Sequence, residues 1–299
     1  MTLEQHALRH RVGVRVIGAL AVLLSVLLCG AAPATAGNRW PRDAVSGAST
    51  PTAKGYWLVF ADAAVATYGD AHFYGDLHNT PLNGPVVGSA FARNGTGYWL
   101  VGSDGGIFTF GSARFYGSMG AAHLNQPVFG MSLTKSGHGY WLVARDGGIF
   151  TFGDARFYGS TGGLKLHQPI VAITRSGDGR GYRLVARDGG IFSFGDARFF
   201  GSLPSRGVRV TDVVGMARTP AANGYWIARS DGTVYAFGKA PTFRSRSRVA
   251  STCDPVTAIF SDPIRPGYRL VTRSGATTSF GAFGDHHTGT IRTCRRPTH

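Results

Sequence analysis

An internal repeat constrains this chain more than any other feature of its sequence. The dipeptide Gly-Tyr opens six units, at positions 55, 97, 139, 181, 224 and 267, so the spacing is 42 residues three times and then 43 twice. The best-preserved unit, residues 139–160, has the sequence GYWLVARDGGIFTFGDARFYGS. A chain built from copies of one supersecondary unit buries its core by packing each copy on its neighbours.

Each unit has the pattern of four short strands. In the third unit the apolar run 140–144 predicts the first strand, and Asp146–Gly147 after it favours a tight hairpin turn. We predict the return strand at 149–152, a third strand at 156–158 and a fourth at 169–173, before the next Gly-Tyr. Little of the unit has a helical period.

Four strands in about 42 residues is the size of one β-propeller blade. We therefore predict an all-β fold, a β-propeller of six four-stranded blades over residues 55–299, C-terminal tail included. The composition agrees, because 44 glycines suit tight turns and 12% aromatic residues can fill a core between blades. These numbers exclude a helical bundle and argue against a disordered chain. A β-solenoid, whose coils are usually shorter, is the alternative.

Closing the ring needs a strand that the repeats do not supply. Only five strands of the fourth kind lie between the six Gly-Tyr starts, so the first unit lacks one. We expect it from residues 44–48, in the N-terminal segment 37–54, or from residues 290–293 in the tail. Cys253 and Cys294 are predicted to form a disulfide that joins this tail to the last blade, with about 2–4 kcal/mol of stabilisation.

The first 36 residues have the pattern of a signal peptide. Arg9, Arg11 and Arg15 precede the apolar run 16–28, and Ala-Thr-Ala at 34–36 fits a cleavage site. The run is shorter than the roughly 20 residues of a stable span, so cleavage is favoured over an anchor. No later stretch is long and apolar enough, and no stable membrane span is expected in the mature chain. We expect the protein to be secreted or associated with the cell envelope.

The repeat also resembles a known one. Units of the form GYWLVxxDGGIFxFGDAxFYGS resemble a tandem repeat of exported actinobacterial proteins, and the resemblance covers residues 55–289. In that family the repeats occur alone or beside cell-wall-acting domains. The resemblance implies a propeller-like fold and an envelope setting, and it implies no catalytic residues.

Charge narrows the choice of partner. Without residues 1–36 the chain has 28 basic and 15 acidic side chains, a formal charge of +13. Such a charge favours anionic partners, and export favours a cell-wall polymer or an acidic glycan, with a protein as another candidate. No nucleic acid is expected. His72, Arg114, Arg156 and Arg198 share one position of the repeat and are the predicted ligand-binding residues, with salt bridges to turn aspartates as the alternative.

Two other recurring positions are expected to be structural. A tryptophan follows Gly-Tyr in four units, and we expect it in the core between blades rather than stacked on a sugar ring. Arg183 and Arg269 replace it in the other units, which indicates a position that is not fully buried. One aspartate per first turn provides too few oxygens for calcium, so its expected role is to shape the turn. These aspartates are Asp62, Asp104, Asp146, Asp188 and Asp231.

Motifs for chemistry are absent from the sequence. It contains no GxSxG, HExxH or GxxxxGK[ST] motif, and we predict no catalytic residue, metal site or cofactor. The sequence therefore favours a binding or scaffolding module over an enzyme. A hydrolase or lyase with an active site on the propeller axis, and a protein–protein interaction scaffold, are the alternatives.

Overall fold

The computed structural model describes residues 40–243 and 250–281 and the backbone of 287–288. Within these residues the regular structure is nineteen β-strands and one short 3-10 turn, Pro204–Arg206. In chain order the strands are β1 (Ala44–Ser49), β2 (Tyr56–Phe60), β3 (Val65–Tyr68), β4 (Val86–Phe91), β5 (Gly97–Gly102), β6 (Ile107–Gly111), β7 (Val128–Leu133), β8 (Gly139–Ala144), β9 (Ile149–Gly153), β10 (Ile170–Arg175), β11 (Gly181–Ala186), β12 (Ile191–Gly195), β13 (Val213–Arg218), β14 (Gly224–Arg229), β15 (Val234–Gly238), β16 (Val256–Ser261), β17 (Gly267–Thr272), β18 (Thr277–Gly281) and β19 (His287–Thr288).

The strands form six antiparallel sheets, which we call blades 1 to 6 in chain order. Blade 1 contains β1–β3, and blades 2 to 5 each contain the next three strands in the same inner, middle, outer order. Blade 6 contains β16–β19. The prediction of four strands in every blade is therefore wrong, because five blades have three strands among the described residues. The strand before each Gly-Tyr is the inner strand of the same blade as that Gly-Tyr.

The segment predicted as the third strand, residues 156–158, is not a strand, because side chains occupy its backbone groups. The Trp141 indole Nε1 donates to the Arg156 carbonyl at 2.8 Å. The Tyr158 N–H donates to the Tyr182 hydroxyl of the next blade at 3.2 Å. Buried backbone groups need partners, and these side chains provide them in place of a strand ladder. We call this segment and its equivalents in the other blades the rim segments.

The middle strands are the apolar centre of each blade. Residues 97–102, 139–144 and 181–186 are buried at every position, because each blade packs between two neighbours and both faces of its middle strand are covered. Every inner strand instead has a register shift near its start, as between Val128 and Gly130. Such a bulge bends the strand and increases its twist.

The inner strands surround an axial channel. Each contacts its two neighbours, and β1 contacts both β4 and β16, so the six strands follow one another in a closed cycle. The Ala44 N–H donates to the Arg273 carbonyl of blade 6 at 2.9 Å. The inner strand of blade 1 is thus β1, Ala44–Ser49, which pairs with β2.

Several sequence predictions fall outside the described residues. These are the signal peptide at 1–36, the tail segment 290–293 and Cys294, so the Cys253–Cys294 disulfide stays a prediction. Across residues 40–243 and 250–281, no helix has the length and apolarity that crossing a membrane would need.

Candidate functional site

In blades 1 to 5 one hydrogen bond fixes the rim segment from inside. The side chain after Gly-Tyr donates to the carbonyl oxygen fifteen residues later, across 2.7–2.8 Å. The donor and acceptor pairs are Trp57 with His72, Trp99 with Arg114, Trp141 with Arg156, Arg183 with Arg198, and Trp226 with Pro241. The predicted binding residues are therefore held by their own backbone at a fixed place on each blade.

Arg183 replaces tryptophan without becoming exposed. It is only 2% exposed, so the expectation that arginine marks an incompletely buried position is wrong here. Its Nε donates to the Arg198 carbonyl as an indole would, and its guanidinium lies 5.3 Å from the ring centre of Phe200 and 5.6 Å from that of Tyr225. Burial lowers the pKa of Arg183, but cation–π contacts with the two rings stabilise the buried charge.

A tyrosine of the next blade fixes the rim segment from the other side. The Tyr140 hydroxyl of blade 3 accepts from the Tyr116 N–H at 3.1 Å and donates to the Gly117 carbonyl at 2.6 Å. A side chain at Gly117 would place its Cβ 2.5 Å from the Phe152 ring, and φ there is 131°, so glycine is required. Equivalent hydroxyls join blades 1–2, 3–4 and 4–5, from Tyr98, Tyr182 and Tyr225.

The four predicted binding residues are all exposed. His72, Arg114, Arg156 and Arg198 lie at the outer edge of blades 1 to 4, and in the described part of the chain none of them forms an ion pair. The salt bridge to a turn aspartate, which was the alternative role, is therefore not seen among these residues.

An exposed phenylalanine, which was not predicted as a binding residue from the sequence, follows each of these basic residues. Phe73 is 49% exposed, Phe115 59%, Phe157 60% and Phe199 55%. We call each basic residue with its phenylalanine a dyad. The sequence alone does not separate this phenylalanine from the aromatic residue that follows it. In an extended segment, however, successive side chains point to opposite sides, and only the second one packs inward.

Grooves with basic walls lie between neighbouring blades beside the dyads. A groove of about 290 Å³ between blades 2 and 3 is lined by Arg93, Arg114 and His138. The next groove, of about 400 Å³, is lined by Lys135, Arg156, Arg180 and Asp154 among others. Blades 2 to 4 thus present cations both on the dyads and between the blades.

The axial channel has two ends of different character. The upper end lies at the start of the inner strands, and its cavity of about 390 Å³ is lined mostly by small apolar residues. Asp43 and Arg273 lie there, 3.8 Å apart between Oδ2 and Nε. The lower end lies where the inner strands finish, with a cavity of about 580 Å³ whose wall includes Arg93, Arg175, Arg218 and Asp262.

The turn aspartates have the predicted structural role. Asp146 Oδ1 accepts the Gly148 N–H at 2.9 Å, and in each of the other four turns the aspartate accepts from the residue two positions on. This bond shapes the turn from within. No group of three or more His, Cys, Asp or Glu side chains with metal-binding geometry occurs among the described residues.

A solved protein structure has a similar architecture. The structure is similar to the crystal structure of the β-propeller domain of Cps50 (Swd1) from Myceliophteria thermophila, with a TM-score of 0.53. The sequences are 7% identical, and the alignment covers 84% of this chain and 86% of that one. The chain has a β-propeller fold. At this identity the likeness concerns the fold alone. No protein-family model and no curated protein matches the sequence.

Proposed function

We propose that this propeller is a non-catalytic binding module whose dyads hold an anionic polymer, an acidic glycan or a cell-wall polymer. We also propose that it belongs to the exported actinobacterial repeat family and acts outside the cell, which the leader pattern at 1–36 supports. The propeller supplies a rigid support, and the dyads of blades 1 to 4 supply the contacts.

One observation supports this proposal above the others. Four consecutive blades present an exposed phenylalanine beside an exposed basic residue on the same backbone geometry. Packing does not require the dyad, because blade 5 keeps the Trp226–Pro241 hydrogen bond and has Pro241 and Thr242 at the two dyad positions. Exposed apolar groups that folding does not need mark interaction sites.

The chemistry of a dyad suits a charged sugar. A phenyl face can stack on the apolar face of a sugar ring, and a guanidinium binds a carboxylate, sulfate or phosphate through two parallel N–H bonds. One dyad alone binds weakly. A polymer that reaches several dyads binds more tightly, because each further contact is intramolecular, and the fixed rim segments limit the entropy lost on binding.

Charge reversal tests the proposed electrostatic contact between the dyad arginines and the anionic polymer. We expect the R114E/R156E variant to bind polygalacturonate and isolated cell wall about tenfold or more weakly than wild type at low salt. The matched control is K165E/R209E, which changes the net charge equally at two exposed positions away from the dyads. Equal losses in the two variants would show that net charge alone attracts the polymer. Wild-type affinity should also fall with rising salt.

Removing the phenyl rings tests whether they stack on the sugar rings of the ligand. F115S/F157S should weaken binding to the acidic glycan severalfold and leave the thermal midpoint nearly unchanged, because both rings are exposed. The control is L164S/I264S, which removes two exposed apolar side chains, 61% and 58% exposed, outside the dyads. Unchanged glycan binding in F115S/F157S would contradict stacking.

A protein-interaction scaffold is the second candidate function. The same phenylalanines favour it, because exposed aromatic side chains beside arginines are frequent anchors of protein interfaces. The two candidates differ in their ligand. Binding of wild type to an acidic protein segment, with no binding to acidic glycans at low salt, would replace the first proposal by the second.

A further inference from the structure

The lower end of the axial channel contains arginines on neighbouring blades at one register position. Arg175 ends β10 and pairs with Tyr182, and Arg218 ends β13 and pairs with Tyr225. The other four blades have uncharged residues there, Ser49, Phe91, Leu133 and Ser261. Arg93, two residues beyond β4, lines the same cavity.

The two register-matched arginines are held in the same way. Nη1 of Arg175 donates to the carbonyls of Ser176 and Gly177 at 3.1 and 3.3 Å. Nη1 of Arg218 donates to those of Thr219 and Pro220 at 3.4 and 3.3 Å. Among the described residues these are the only acceptors that either guanidinium contacts. One edge of each group is thus fixed by the backbone, and the Nε and Nη2 edge is left for a ligand.

The positive charges of Arg175, Arg218 and Arg93 are not balanced by carboxylates in the way that the charge of Arg229 is. Burial, followed by repulsion from Arg218 and Arg93, lowers the pKa of Arg175 to about 10. Burial also lowers the pKa of Arg218, followed by repulsion from Arg93 and Arg183. By contrast Arg229 of blade 5 bonds Asp212 at 2.8 Å and Asp231 at 3.0 Å. Asp262 lines the cavity, but its Oδ1 accepts the N–H groups of Ile264 and Arg265.

We propose that the lower mouth of the channel is a binding site for a tetrahedral oxyanion, a phosphate or sulfate group, held by Arg175, Arg218 and Arg93. Three guanidiniums offer more charge and more N–H donors than the two oxygens and single charge of a carboxylate can match. Arg175 and Arg218 stay charged at neutral pH, and an anion between them offsets both their repulsion and their loss of water. Arg175 and Arg218 lie apart from the dyads, and only Arg93 also lines the groove beside Arg114. The proposed site does not depend on the polymer proposal.

Anion binding to the full chain tests this inference. We expect phosphate and sulfate, each compared with chloride at equal ionic strength, to raise the thermal midpoint of wild type and to bind measurably by calorimetry. In R175M/R218M the shift should vanish and the affinity should fall about tenfold or more. This variant without anion should be as stable as wild type or more stable, because it lacks two half-buried charges that repel each other. An equal shift in both proteins would overturn the proposal.

A second variant keeps the test valid if R175M/R218M does not fold. Arg93 is exposed and forms no hydrogen bond within the described residues, so Arg93→Gln should fold and weaken phosphate binding severalfold. Unchanged phosphate affinity in Arg93→Gln would contradict its part in the site. R114E/R156E should keep phosphate binding, whereas R175M/R218M should keep polymer binding, so failure of either proposal is seen separately.

Two probes distinguish the kinds of molecule that could carry the bound phosphate group. Glucose 6-phosphate represents a phosphate monoester, and polyglycerol phosphate represents a chain of diesters. Competition by the monoester alone identifies a free or terminal phosphate, and competition by the diester polymer identifies a group within a chain. If neither probe competes, and inorganic phosphate and sulfate have no effect, the proposed site is wrong.

Discussion

Blades 1 to 4 and blade 5 share their packing and differ on their surface. In all five, a side chain after Gly-Tyr bonds the rim segment from inside, and the third residue of that segment is half-buried. Blades 1 to 4 add a basic residue and an exposed phenylalanine, whereas blade 5 has Pro241 and Thr242. The comparison teaches that the dyad is separable from the fold, and that folding alone does not explain its repetition.

Inside the blades, at the position after Gly-Tyr, the residue type varies from blade to blade, whereas its hydrogen bond to the rim segment is kept. Trp141 and Trp226 donate through an indole, and Arg183 donates through Nε to the equivalent carbonyl. The packed position demands a donor at a fixed distance and a flat group that packs against aromatic rings. A guanidinium satisfies both demands once rings such as Phe200 cover it.

The largest expected effect concerns these buried donors. Trp141→Ala in blade 3 and Trp226→Ala in blade 5 should each lower the free energy of unfolding by about 3–5 kcal/mol, because each leaves a cavity and an unpaired carbonyl. Urea denaturation measures both. Near-equal losses support a shared packing role, and a loss below 1 kcal/mol in either variant would contradict it. Only Trp141→Ala should also weaken polymer binding, since only blade 3 has a dyad on that rim segment.

A smaller effect is expected at the tyrosine bridges. Tyr182→Phe removes a hydroxyl that accepts the Tyr158 N–H and donates to the Gly159 carbonyl, so we expect a loss of about 1–3 kcal/mol. Tyr235→Phe in blade 5 is the control, because that hydroxyl has no hydrogen bond within the described residues. An equal loss in the control would mean that the bridge adds no stability.

The pH dependence of stability gives these bridges a second readout. Burial raises the pKa of Tyr98 from 10.0 to about 12, and it also raises the pKa of Tyr140, Tyr182 and Tyr225. For Tyr98 the raised pKa means that the stabilisation is complete below pH 10 and is lost as the pH rises through about 12. The difference in unfolding free energy between wild type and Tyr98→Phe should therefore be constant from pH 7 to 9 and shrink above pH 10. A difference that grows with pH would contradict the assignment.

The smallest expected effect comes from giving blade 5 a dyad. P241R/T242F should change the unfolding free energy by less than about 0.5 kcal/mol, because Thr242 is exposed and surface changes are usually mild. The same variant should bind the acidic polymer about two- to threefold more tightly, since it adds one weak contact to several. A large loss of stability would show that the dyad and the fold are not separable.

Much of the fold could be predicted from the sequence because its signals are local. Gly-Tyr at a fixed spacing defined six units, the apolar runs after it predicted the middle strands, and Asp-Gly predicted the hairpin turns, as at Asp146. The shared position of His72, Arg114, Arg156 and Arg198 was also evident from the repeat. Such features depend on backbone preference and on the alternation of side chains, both of which act over a few residues.

The tertiary structure decided the features that depend on neighbouring blades. Residues 156–158 are not a strand, because Tyr182, from the next blade, bonds their backbone. Which half of each Phe-Tyr pair faces water was likewise settled by that contact. Arg175 and Arg218 are 43 residues apart in the chain and meet only because the inner strands of blades 4 and 5 end side by side at one channel mouth. Repetition in a sequence specifies the unit, and closure of the ring determines which residues of distant units come together.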